Sequence, residues 1–109
     1  MTAHVRVLVQ TEITSGDEEA FEQAFAKVAE GMKGTPGHIR DELLRDARNP
    51  SSYILVGEWT SREEFLAWFD DPKHPQMTTP MRQYWAGRAQ HGVYDIAVRV
   101  DPLTPRAEG

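Results

Sequence analysis

Near the start of the chain Val5, Val7 and Val9 alternate with Arg6, Leu8 and Gln10. A two-residue period of this kind predicts a strand with one apolar face. From Asp17 the period lengthens to that of a helix, with Phe21, Ala24, Phe25, Val28 and Met32 on one side. Ser15 and Glu18, three residues apart, have the spacing of a capping box, in which each side chain satisfies the other's exposed backbone N–H. The helix is expected to run to about Gly31 and to stop at the two glycines and the proline between Lys33 and His38. Ile39–Ala47 and Tyr53–Trp59 flank the turn-rich Arg48–Ser52 and predict an antiparallel hairpin. The first arm suits a helix as well, because it contains Asp41, Glu42, Leu43 and Leu44. Ser61–Phe69 reads as a short helix opened by Ser61 and Glu64 and broken by Asp71, Pro72 and Pro75. A second short helix is expected from about Thr79 to Gly87. A last strand is expected over Val93–Val100, with Tyr94, Ile96, Val98 and Val100 on one face.

This order predicts an α+β domain of ferredoxin-like topology, in which two right-handed crossovers leave the helices on one face of an antiparallel sheet. Tyr53, Ile54, Leu55 and Val56 are apolar at consecutive positions, so both faces of that strand ask for cover. At roughly 25 cal/mol per Å² of apolar surface, leaving Tyr53, Leu55 and Trp59 wet would forfeit several kcal/mol. A second copy of the chain is the economical cover, which predicts a homodimer. The alternative cover is the segment 101–109, but its prolines and charges fit a flexible tail better. The domain is therefore expected over residues 1–100.

Composition narrows the function. The 109 residues suffice for one domain, and 12 Lys and Arg against 17 Asp and Glu leave a net charge of −5 with the signs interspersed. That pattern argues against nucleic-acid and anionic-membrane partners. Cysteine is absent, which removes disulfides, thiolate metal sites and cysteine nucleophiles, and the four histidines show no ligand spacing. No cationic segment leads an apolar run, and nothing approaches the roughly 20 apolar residues that span a bilayer. A cytoplasmic protein is expected.

Leu55-Val56-Gly57-Glu58-Trp59-Thr60-Ser61-Arg62-Glu63-Glu64-Phe65, a strand ending in Trp followed by a polar residue, Ser and an acidic helix start, resembles the antibiotic biosynthesis monooxygenase family. Asp71-Pro72-Lys73-His74 is similar to that family's next element, and the resemblance extends from Val5 to Val98. It implies a dimeric α+β barrel. Family members acting on aromatic polyketides need no cofactor, because the deprotonated substrate itself passes an electron to dioxygen. The implied reaction oxidises a polycyclic phenol, anthrone or quinol to a quinone or hydroxylated product in secondary metabolism. It asks for a dry pocket, aromatic walls and a group that handles a proton. A haem-degrading branch of the family uses a strand Asn, a helix Trp and an axial His. Those places fall here on Val9 or Gln10, on Trp68 and near Thr78, so only the Trp is matched. The polyketide oxygenases also carry a strand Asn where this chain has Leu55. Dimeric barrels of this shape serve as non-catalytic ligand-binding or accessory modules too, which fold alone does not distinguish.

Each candidate residue has a structural role beside its functional one. Trp59 suits packing under a helix or at a dimer seam, and also a pocket wall. Trp68, three residues from Phe65, suits core and pocket equally. His74, expected in a loop between prolines, is the candidate proton acceptor, since imidazole titrates near neutrality. Arg82 is the candidate partner for a phenolate or enolate oxygen. With Trp68 these form the expected catalytic set, while Tyr53, Leu55, Trp59, Phe65, Tyr84 and Trp85 are the expected substrate walls and donors. Arg82, Tyr84 and Trp85 are expected on the last helix. Met77 and Met81 read as core filler, His38 as a turn residue, and His4 and His91 as strand-edge residues.

Overall fold

The computed structural model describes residues 4–102. Its elements run in the order β1 (Val5–Glu12), α1 (Glu18–Gly31), β2 (His38–Arg45), β3 (Ser52–Trp59), α2 (Arg62–Phe69), α3 (Lys73–Arg82) and β4 (Gln90–Asp95). All strand pairs are antiparallel, in the spatial order β2-β3-β1-β4, as expected for the ferredoxin-like arrangement. The flexible tail expected over 101–109 lies, beyond residue 102, outside the described residues.

Pairing of Val5 with Trp59, Val7 with Gly57, Val9 with Leu55 and Thr11 with Tyr53 places these eight residues on one face of the sheet. Three helices cover that face. One cluster joins Val5, Val7, Met32, Trp59 and Phe65, and a second joins Ile13, Phe21, Tyr53 and Met81. The expected exposure of Tyr53, Leu55 and Trp59 on the far face is thereby corrected: Tyr53 and Trp59 are 1% and 2% exposed, beneath the helices. The residues facing away are Leu8, Ile54, Val56, Leu44 and Tyr94, flanked by the Arg6–Glu58 and Arg40–Glu58 ion pairs at 3.4 and 3.3 Å. Leu44 and Tyr94 are 49% and 56% exposed.

Helix α1 starts at the predicted place by a different device. Asp17 is the N-cap, and the Glu18 carboxylate accepts from Gly16 N–H at 2.9 Å and from the Ser51 hydroxyl at 2.6 Å, so it is not shared with Ser15. The helix start is thus tied to the β2–β3 turn. Ser61 caps α2 as expected, accepting from Glu64 N–H at 3.2 Å.

The prolines after α2 open α3 rather than keeping the chain irregular until Thr79. Pro72 stands at the N-cap and Pro75 in the first turn, where a missing N–H costs nothing. Asp71 Oδ1 accepts from Lys73 N–H at 2.8 Å and completes the start. His74 is therefore helical, and Tyr84 and Trp85 lie beyond the helix end. Strand β4 is Gln90–Asp95 instead of Val93–Val100, because its partner β1 ends where Val5 faces Asp95. Past that point no neighbouring strand remains among the described residues, and Val98 and Val100 are 80% and 85% exposed.

Truncation of Phe21, 1% exposed and edge-on to Tyr53 at 5.0 Å, should test the second cluster. Phe21→Ala is expected to lower the unfolding free energy by about 3–5 kcal/mol, read from the midpoint of a urea titration at unchanged slope.

Candidate active site

Between the helices and the sheet lies a cavity of about 400 Å³. Its floor comes from β1 and β3, through Val7, Val9, Leu55, Gly57 and Trp59. Its roof comes from α1, α2 and α3, and Trp85 closes one side. All three tryptophans of the chain line it. Trp85 is held by its backbone: residues 84–86 run beside β1, with Thr14 N–H donating to Tyr84 O at 3.2 Å and Ala86 N–H donating to Glu12 O at 2.8 Å.

Four ionisable side chains reach this apolar space: Asp41, His74, Arg82 and His91. His74 sits on the first turn of α3, its ring 5.4 Å from that of Trp68 and 5.0 Å from that of Phe69. Phe69 also stacks near His91, at 5.9 Å. Burial first, and then the nearby Arg82 and His91, hold the His74 pKa below the usual imidazole value. Its proton-accepting form is thereby favoured. Arg82, at the end of α3, donates only long hydrogen bonds from Nη2, to Pro75 O at 3.3 Å and to Thr79 Oγ1 at 3.4 Å.

Asp41 lies on the opposite edge of the sheet. Strand order puts it three strand spacings from His91, about 14 Å across the sheet. His38 Nε2 stands 3.0 Å from Asp41 Oδ2, both side chains about nine-tenths buried, although the N–H does not point straight at the oxygen. In a regular strand residues three apart face opposite ways. Here the register of β2 shifts between His38 and Arg40, so His38 opposite Trp59 and Asp41 opposite Gly57 share the helix face. Desolvation raises the Asp41 pKa, opposed by the charge and hydrogen bonding of His38.

Of the expected catalytic set, the structure brings His74, Arg82 and Trp68 to the cavity, together with Leu55, Trp59, Phe65 and Trp85. Two expected donors are elsewhere. Tyr53 is sealed under α1, where its hydroxyl donates to Glu22 Oε2 at 2.6 Å, and burial followed by that carboxylate pushes its pKa up to about 12. Tyr84 lines a shallow groove between α1 and α3 with Ala24, Lys27 and Pro80. Two residues were missed, Asp41 and His91. Only cross-strand register reveals them, since neither stands in a motif. Among the described residues no three His, Asp or Glu side chains converge as a metal-binding group.

Residues 4–78 match the family model described as antibiotic biosynthesis monooxygenase. The chain belongs to the antibiotic biosynthesis monooxygenase family. Protein SchA of Streptomyces halstedii is 32% identical over 85 residues, which cover 78% of this chain and 22% of that protein. The chain thus spans about a fifth of that relative's length. A mycobilin-producing haem oxygenase of Mycobacterium tuberculosis is 33% identical over 61 residues, 56% of this chain and 58% of that one. Among solved structures, a single-site variant of SnoaB, a cofactor-independent oxygenase from Streptomyces nogalater, superposes with a TM-score of 0.80 at 23% identity, covering 92% of this chain and 99% of that one. At that identity the likeness concerns the fold.

The lowered pKa of His74 has a consequence for stability. The unfolded chain takes up the His74 proton more readily than the folded one, so this group's contribution to stability is present above about pH 6.5 and is lost as pH falls below it. His74→Gln should therefore show a smaller drop in melting temperature than wild type between about pH 7 and about pH 5. Asp41, shifted the other way, titrates in both proteins and leaves the comparison intact.

Proposed function

We propose that this protein is a cofactor-independent monooxygenase of the cytoplasm that oxidises a polycyclic phenol, anthrone or quinol. The observation that carries this reading is the cavity itself, an aromatic-walled space between sheet and helices whose ionisable groups stand at its edges. Such a space suits a flat apolar substrate and excludes water from its anion. His74, kept in its neutral form, is the proton acceptor. Arg82 faces the phenolate or enolate oxygen as charge builds on it, and Trp59, Trp68, Phe65 and Leu55 hold the rings.

For an anthrone the atoms balance simply: one CH₂ carbon and one O₂ become one carbonyl and one water. His74 takes a C–H proton, the carbanion passes one electron to dioxygen, and the radical pair closes a C–O bond. The resulting peroxide receives the proton back. Loss of the second C–H proton then breaks the O–O bond and releases water. No electron from outside the substrate is required.

The rival reading within the family is haem degradation, the activity of the mycobacterial relative. Of the places where the haem branch carries its Asn and axial His, Val9 lines the cavity as an aliphatic wall, and Thr78 directs its hydroxyl to the His74 carbonyl at 2.9 Å. Neither is an iron ligand. The helix-free sheet face, with Leu8, Ile54, Val56, Leu44 and Tyr94, supports a symmetric dimer in which a second copy covers it.

The reading is tested by oxygen uptake of purified, metal-stripped protein with a panel of anthrones and quinols. Uptake abolished by His74→Ala supports it, and tight binding without uptake would instead mark a ligand-binding module. A Soret shift on adding hemin, without turnover of any panel member, would favour haem. For the dimer, Val56→Lys is expected to convert a two-chain species at micromolar concentration to single chains in sedimentation equilibrium. A wild-type protein already single at that concentration would remove the dimer from the proposal.

A further inference from the structure

Gly57 interrupts an otherwise side-chain-rich strand at the cavity floor, and a glycine there weakens the strand unless something approaches closely. Two polar atoms do. Asp41 Oδ1 stands 3.1 Å, and Trp59 Nε1 3.3 Å, from the point a Cβ of residue 57 would occupy. The first is a hydrogen-bond acceptor and the second only a donor. Both residues line the cavity. Asp41 is fixed from behind, since its other oxygen lies against His38, which is itself edge-on to the Trp59 ring at 5.0 Å. Acceptor and donor thus converge over one notch, and the β2 bulge that aims Asp41 there also sets its other oxygen against His38.

We propose that the notch over Gly57 is the subsite for a phenolic hydroxyl of the substrate, which donates to Asp41 Oδ1 and accepts from Trp59 Nε1–H. A single hydroxyl has one proton to give and lone pairs to receive, so it satisfies both atoms at once. A carboxylate on the ligand is repelled by Asp41, and a bare ring leaves the carboxylate oxygen unpaired in an apolar wall. The subsite deepens the oxygenase reading by naming its substrate class: an elongated aromatic with a hydroxyl at the β2 end, its reacting carbon toward His74 and the β4 end. Specificity then resides in Asp41 and Gly57, away from the proton-handling histidine.

The test is binding without turnover. Because every tryptophan lines the cavity, quenching of indole fluorescence reports occupancy, and 2-hydroxyanthrone and anthrone are titrated under anaerobic conditions. Wild type should bind 2-hydroxyanthrone about tenfold or more tightly than anthrone, the scale of a hydrogen bond to a buried charge. Asp41→Ala, which removes the acceptor, and Gly57→Ala, which fills the notch, should each bring the two affinities within about twofold of each other while anthrone still binds. Melting curves identify a variant that has failed to fold, in which case the other decides. Equal affinities in wild type, an undiminished preference in the folded variants, or no binding of either compound overturns the proposal. Preference without oxygen uptake would sink the oxygenase reading alone, and uptake without preference would sink the hydroxyl subsite alone.

Discussion

The alternation of β3 against its two neighbours is the constraint on which the rest depends. Because successive side chains leave a strand on opposite sides, the register that sets Val7 opposite Gly57 also decides that Trp59, Leu55 and Tyr53 meet the helices while Glu58, Val56 and Ile54 do not. A slip of one residue would exchange these sets. It would drop two charged residues, Arg6 and Glu58, into the space now filled by Val5, Val7 and Trp59, with the large penalty of desolvating charge. Core, cavity floor and outer face are therefore one decision, made by the pairing of two strands.

The same burial acts on both kinds of titratable group. Taking charge out of water weakens the imidazolium of His74 and the carboxylate of Asp41 alike, so one pKa falls and the other rises. The two pKa values are thereby drawn toward each other. Asp41 lies on β2 at one edge of the sheet and His74 on α3, and under the proposed reading the two groups have separate roles, one in recognition and one in handling protons. Tyr53 marks the contrast: it is more deeply buried, yet its hydroxyl is already committed to Glu22, and nothing remains for a ligand.

What could be read from the chain alone was whatever depends on near neighbours in sequence. The valine alternation of β1, the helical stripe of α1 and the Ser61 cap need only a few residues to declare themselves. Prolines misled, because Pro72 and Pro75 break a helix in its interior but start one at its first turn, and Asp71 shows which applies only once its side chain is seen to cap. The apolar run 53–56 implied apolar residues on both faces of the strand, which β3 has, but not which residue belonged to which. The end of β4 could not be read from Ile96, Val98 and Val100, since their propensity is strand-like, whereas the pairing with β1 ends at Val5 opposite Asp95. Asp41 and His91 come to the cavity through non-local pairing, and Asp41 through a register irregularity as well.

That irregularity sits on β2, an edge strand, which among the described residues has a neighbour on one side only. A change of phase there re-aims a handful of side chains and leaves the inner pair β1 and β3 undisturbed. Under the proposed subsite, recognition and architecture are separable in this fold. Lengthening or shortening one peripheral strand by a residue would alter which ligands are accepted, with the shell around them kept whole.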